Sequence, residues 1–130
     1  MALEIGATAS RTKTITDQDI RSFADIVDDH NPVHMDEAFA ATTTFKKRIA
    51  HGMLGASVIS AALANDLPGP GTVYLGQDLK FKAPVFIGDT ITATVTCTAL
   101  RRKIATFKTV VTNQDGTVVI EGEATVIAPA

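Results

Sequence analysis

Hydrophobic and polar positions divide the chain into two zones. Up to about Leu67 the apolar residues recur mostly at helical spacing, and after Thr72 they alternate with polar ones in the manner of strands. The junction is Leu67-Pro68-Gly69-Pro70-Gly71, a turn-forming cluster that stops a helix. No repeat, linker or low-complexity tract is visible, so one domain over residues 1–130 is expected.

In the first zone Thr8 to Thr14 reads as a strand. Thr16 followed by Asp19 forms a capping pair that opens a helix, whose Ile20, Phe23, Ala24 and Val27 make one buried stripe. Pro32 disfavours helical geometry in Asn31, so this helix should end at Asn31-Pro32, with the stretch to His34 forming a loop. Asp36 caps a short helix running through Phe39. From Met53 to Leu67, Leu54, Val58, Ile59, Ala62 and Leu63 cover nearly every side of the cylinder, the pattern of a buried helix. Its small residues Gly55, Ala56, Ser57, Ala61 and Ala64 let other backbones come close.

In the second zone Ile91, Ala93, Val95 and Cys97 face one way and Thr90, Thr92, Thr94, Thr96 and Thr98 the other. Ile104 to Thr112 and Val118 to Ile127 are further strands, joined by the hairpin signal Asn113-Gln114-Asp115-Gly116. Thr72 to Phe81 supplies another, and Gly88-Asp89 turns the chain before Thr90. The expectation is an α+β fold of several antiparallel strands and one long buried helix.

Composition narrows the function. Of 130 residues 45% are hydrophobic and 20% charged, as in a folded globular chain. Only 5% are aromatic and Trp is absent, so the core rests on Val, Ile, Leu and Ala, and a base-stacking platform is disfavoured. A formal net charge of -2 argues against a polyanion binder, so no nucleic-acid partner is expected. Cys97 stands alone, which excludes an intrachain disulfide and fits a reducing, cytoplasmic compartment. Met1-Ala2-Leu3-Glu4-Ile5-Gly6 lacks the pattern of a signal peptide, and the most apolar stretch, Met53 to Leu67, carries Ser57, Ser60, Asn65 and Asp66, so no membrane span is expected.

All three histidines cluster in two short strings, Asp28-Asp29-His30-Asn31-Pro32-Val33-His34-Met35-Asp36 and Ile49-Ala50-His51-Gly52-Met53. A carboxylate and an imidazole within reach of one water can share proton transfer near neutral pH, which makes Asp29 and His34 candidates. Taken alone, the pair reads more readily as a solvated loop with a capping Asp and an ordinary His. Gly52 precedes the buried helix, whose first N–H groups lack intrahelical partners and suit an oxygen gaining negative charge; alone, Gly52 merely permits a tight turn into the helix while His51 packs. Ser57 and Ser60 read as hydroxyls bonded back to their own helix, without a nucleophile elbow. His30 and His34 do not share a helix face across Pro32 and no His-Glu-x-x-His is present, so no metal is expected. Lys46-Lys47-Arg48 and Arg101-Arg102-Lys103 read as solvated charge or as contacts for an anionic ligand.

Together, Asp29 to Asp36, Phe39-Ala40, Thr43, Phe45 and Ile49 to Met53 resemble the (R)-specific enoyl-CoA hydratases of the MaoC-like dehydratase group. The resemblance continues through Tyr74-Leu75-Gly76-Gln77, Phe81 to Phe86 and Gly88-Asp89, and so spans nearly the whole chain. It implies a hot-dog fold, a long central helix wrapped by an antiparallel sheet, working as a homodimer. It also implies reversible syn addition of water to a trans-2-enoyl-CoA, giving the (R)-3-hydroxyacyl-CoA, with no cofactor because coenzyme A is part of the substrate. Asp29 and His34 match the family's water-activating dyad and Gly52 its backbone donor to the thioester oxygen. Asn31 and His51 support them, while Ser60 and Leu63 fall where the family lines its acyl pocket. The alternatives are a dehydratase for another 3-hydroxyacyl thioester, a non-catalytic acyl-CoA-binding hot-dog module, and a hot-dog thioesterase. Storage-polymer monomer supply is an association of the family, and fatty-acid metabolism fits the same residues.

Overall fold

The computed structural model describes residues 3–129, so Met1 and Ala2 of the N-terminal string lie outside the described residues. Strand β1 (Thr8–Thr14) leads into α1 (Asp17–Val27), α2 (Pro32–Met35), α3 (Glu37–Ala41) and α4 (Gly52–Asn65). Strands β2 (Val73–Gln77), β3 (Lys80–Phe81), β4 (Thr90–Arg101), β5 (Ile104–Thr112) and β6 (Val118–Ile127) complete the chain. The strands form one antiparallel sheet in the order β1-β4-β5-β6-β2, with β3 also on β6. Helix α4 packs against β1, β4 and β5, giving the hot-dog arrangement of a helix within a sheet.

Local chemistry explains most of these boundaries. Thr16 and Asp19 form the expected reciprocal capping box at the start of α1. The helix stops earlier than expected, at Val27, because Asp28 adopts a left-handed conformation (φ 61°) and its N–H bonds to Ala24 O. Pro32 therefore does not end a helix but opens one. Its fixed φ and missing N–H suit a first helical position, and Asn31 caps α2 by accepting from Val33 N at 3.1 Å. His34 thus sits on a short helix rather than on the loop expected from sequence. Asp36 caps α3 through Ala38 N and Phe39 N, as its position indicated.

The α1 stripe is narrower than its periodicity implied: Ile20 and Ala24 are buried, while Val27 is 49% exposed. Helix α4 likewise buries Leu54, Val58, Ile59, Ala62 and Leu63 but leaves Met53 57% exposed, with Ser57 and Ala64 also open to solvent. The expectation of burial on every side therefore fails along one stripe of the single chain. On the sheet, Ile91, Ala93, Val95 and Cys97 point inward until a bulge between Cys97 and Ala99 breaks the alternation. Facing them inside are Phe107, Val111, Val119, Ile120, Ala124 and Val126. Burying each Val, Ile, Leu or Phe contributes about 1.5–3 kcal/mol, so this layer and α4 dominate stability.

The outward face of β4 carries a hydroxyl ladder with β1. Thr8–Thr96, Ser10–Thr94, Thr12–Thr92 and Thr14–Thr90 are directly opposite and hydrogen-bonded at 2.8–3.0 Å. The expected strand from Thr72 to Phe81 is split into β2 and β3. Between them the backbone of Asp78 presses onto Gly122, where a Cβ would lie 1.9 Å from Asp78 O, and only glycine permits that crossing.

Candidate active site

The two histidine strings meet at the N-terminal end of α4. Asp29 follows the left-handed turn that ends α1, and its N–H bonds to Ala24 O at 3.0 Å. Its Oδ1 accepts from Asn31 N at 3.2 Å, so the residue that caps α2 also orients this carboxylate. His51 Nε2–H donates to the Asp29 carbonyl at 3.0 Å and fixes the backbone beneath it. The His51 ring is buried between Phe23, 4.9 Å away, and His34, 4.0 Å away between centroids. Asn31 and His51 thus both hydrogen-bond to Asp29.

His34 is buried, and its Nδ1 lies 2.8 Å from Ile49 O. A carbonyl has no proton to give, so Nδ1 carries the hydrogen and Nε2 keeps a lone pair. Burial, assisted by the neighbouring His51, holds the His34 pKa below the ordinary imidazole value, despite the opposing effect of the bond to Ile49. The exposed His30 behaves in the opposite way: its hydrogen bond to Asp25 raises its pKa. His30 lies in the exposed segment after α1, bonded to Asp25, and not in this cluster.

One donor atom each from Asp29, His34 and His51 lies within 4.8 Å of the others. That span is bridged by one water with two hydrogen bonds of about 2.8 Å. His34 Nδ1 is committed to Ile49 and His51 Nε2 to Asp29, while His51 Nδ1 is buried without a partner. His34 Nε2, His51 Nδ1 and the Asp29 carboxylate are therefore the atoms left to meet a ligand.

Gly52 is the first residue of α4, so its N–H has no partner within the helix. Leu54 N and Gly55 N both bond to His51 O, and no side chain caps this end, whereas Thr16, Asn31 and Asp36 cap the three preceding helices. The unpaired donors and the positive end of the helix dipole suit a developing oxyanion. A Cβ on residue 52 would lie 2.7 Å from Phe81 Cε1, so glycine here also lets that ring lie against the helix.

These groups line a cavity of about 920 Å³ with Phe23, Val27, Met53, Ala56, Ser57, Ser60 and the β2 residues Tyr74 to Gln77. A second cavity of about 380 Å³ meets it at His34, His51, Gly52 and Phe81. Both walls are largely apolar. Tyr74 OH donates to Gln77 Oε1, and Gln77 Nε2 donates to the buried Thr109 hydroxyl at 2.9 Å, which fixes the polar part of the β2 wall. Burial raises the Tyr74 pKa and keeps the phenol neutral.

Ser60 reaches the large cavity, but Leu63 does not. It is 1% exposed and packs in the sheet core, because three residues along α4 set it about 60° round the helix from Ser60, on the side toward the strands. Ser57 Oγ bonds back to Leu54 O at 2.5 Å, as helical hydroxyls do. The reading of Lys46-Lys47-Arg48 as solvated charge also requires correction. Lys47 Nζ lies 4.3 Å above the Phe86 ring, and Arg48 is only 6% exposed. The adjoining lysines hid Arg48 in the sequence; the signal that marks it is its place directly before the apolar pair Ile49-Ala50.

Comparison with known proteins agrees with this architecture. A family model described as MaoC like domain matches residues 3–120. The chain is 58% identical over 127 residues to an (R)-specific enoyl-CoA hydratase of Rhodospirillum rubrum, covering 96% of this chain and 88% of the relative. It is 45% identical to a 3-hydroxybutyryl-CoA dehydratase of Methylorubrum extorquens, covering 98% and 82%. The solved (R)-hydratase of Aeromonas caviae involved in PHA biosynthesis superimposes with a TM-score of 0.95 at 48% identity, covering 98% of each chain.

Proposed function

The chain belongs to the MaoC-like domain family, and from that premise we propose that it is an (R)-specific enoyl-CoA hydratase, adding water reversibly to trans-2-enoyl-CoA. The observation that carries this reading is the cluster of Asp29, His34 and His51, one donor atom of each within 4.8 Å of the others, beside the uncapped end of α4, with His34 Nε2 left free by the bond from Nδ1 to Ile49. Water held between Asp29 and His34 attacks the β-carbon while the Gly52 N–H stabilises the thioester oxygen as the enolate forms. Asp29 orients the water through its second hydrogen bond, and the neutral imidazole accepts the proton. Return of that proton to the α-carbon from the same face completes a syn addition, with no proton or electron left over. The two cavities meeting at His34 and Gly52 leave room on either side of the reacting carbons.

No cofactor enters this scheme, since coenzyme A arrives with the substrate. Run backwards, the same groups dehydrate a 3-hydroxyacyl thioester, the activity named for the Methylorubrum relative. A purely acyl-CoA-binding module is less well supported, because binding requires neither an oriented carboxylate nor a neutral imidazole beside it.

A homodimer is part of the proposal. The open face of α4 adjoins β2, whose Val73 and Leu75 are about half exposed and whose outer edge is unpaired in the sheet order. Cys97 is a buried free thiol, which favours a reducing, cytoplasmic setting; no helix among the described residues is long and apolar enough to cross a membrane. The test is loss of the conjugated enoyl-thioester absorbance of crotonyl-CoA without added cofactor. Asp29→Asn and His34→Ala are expected to slow it by about 10²- to 10⁴-fold. Wild-type rates in either folded variant contradict the assignment.

A further inference from the structure

Arg48 is a buried cation that ties the segment carrying His34 to the helices on either side of it, although it lines neither cavity. Its Nε–H donates to the carbonyl of His34 at 2.6 Å. Its Nη2 donates to Asp17 Oδ1 at 2.7 Å, and Nη1 lies 3.8 Å from Glu37 Oε1. One guanidinium thus joins the first turn of α1, the last turn of α2 and the first turn of α3. The next residue continues the clamp: Ile49 N bonds to Val33 O at 3.3 Å and Ile49 O receives the His34 Nδ1 proton. Segment 48–50 is itself held on the loop before β4, through the Ile49–Phe86 bridge and Ala50 N to Val85 O at 2.7 Å.

We propose that Arg48 is a positioning residue for His34, fixing the backbone that carries the imidazole so that its Nε2 lone pair stays presented to Asp29 and the cavity. The inference rests on the reading of His34 as the proton carrier. α2 is a single turn, too short to hold an orientation by its own hydrogen bonds. A planar fork with several fixed donors can bind a carbonyl and a carboxylate together, whereas a lysine ammonium on a flexible stem cannot reproduce that arrangement. The charge matters as well. Protonation of His34 is opposed first by burial and then by His51 and Arg48, and is favoured by the Ile49 carbonyl and Asp29. Asp17 and Glu37 balance Arg48 from the far side, which makes its burial tolerable.

The experiment compares Arg48→Met, Arg48→Lys and Asp17→Asn with wild type, using crotonyl-CoA hydration across pH and far-UV circular dichroism to verify folding. Arg48→Met is expected to lower kcat roughly ten- to a hundredfold with KM little changed, and to move the acid limb of kcat/KM upward. Arg48→Lys should restore the acid limb but only part of kcat. Asp17→Asn, which loosens the fork from α1 and leaves His34 untouched, should lower kcat less and in the same direction. A folded Arg48→Met enzyme with wild-type kcat and acid limb overturns the proposal, as does a loss confined to KM. If Arg48→Met does not fold, a folded Asp17→Asn enzyme of wild-type kcat overturns it instead. His34→Ala is measured alongside: activity there defeats the underlying reading, whereas an inactive His34→Ala beside a wild-type-like Arg48→Met defeats only this inference.

Discussion

In the proposed mechanism His34 works by being held neutral. Its Nδ1–H is committed to Ile49 and its ring is packed on His51, so burial depresses its pKa and leaves Nε2 ready to accept. The sign follows directly: the neutral form is active, and protonation begins only when pH falls through a value lower than that of a free imidazole. The acid limb of kcat/KM for crotonyl-CoA should therefore lie below pH 6.5, the ordinary imidazole value. A pH-rate profile checks this, and an acid limb above that value contradicts the assigned role. At this scale Asp29, His34 and Gly52 were legible because the chemistry sits in short strings whose residue types have few other uses together. Arg48 was not, because its burial depends on Asp17, 31 residues away, and on a helix that local sequence did not announce.

Elements were legible where one local rule acted alone. The Thr16–Asp19 box, the Asp36 cap and the alternation of β4 all follow from side chains close in sequence. Where two rules competed, the outcome depended on backbone geometry. Pro32 both disfavours a preceding helix and suits the first position of a new one; once Asp28 had ended α1, the second effect decided. The strand from Thr72 was broken by the backbone of Asp78 crossing Gly122, a tertiary contact that no periodicity reveals. Helix α4 read correctly as apolar, but which residues meet the core and which meet the cavity depends on the sheet around it. Leu63→Ala should therefore destabilise by about 2–5 kcal/mol in denaturant unfolding while preserving the order of preference among acyl chain lengths. Ser60→Leu should do the reverse, disfavouring longer acyl chains with little loss of stability. A chain-length shift in a folded Leu63→Ala enzyme would place that residue on the acyl wall after all.

The whole molecule supplies both members of the proposed dyad and the proposed Gly52 donor, yet leaves apolar surface uncovered beside them. Met53 on α4, Val73 and Leu75 on β2, and Phe81 on β3 are each about half exposed, around the rim of the large cavity or on the free sheet edge. A second copy covering this region would both bury it and wall in the acyl group. Sedimentation velocity should therefore give a dimer. Leu75→Glu should shift it toward monomer and lower activity together, and a fully active monomer contradicts the dimeric working unit.

Hydration by Asp29 and His34, as proposed, is stereospecific and needs no cofactor. The most direct measurement is chiral analysis of the product formed from crotonyl-CoA and longer trans-2-enoyl-CoA esters by the purified wild-type protein in plain buffer. The predicted result is (R)-3-hydroxyacyl-CoA at every chain length turned over. An (S) product, or saturable binding with no hydration of any ester, would contradict it.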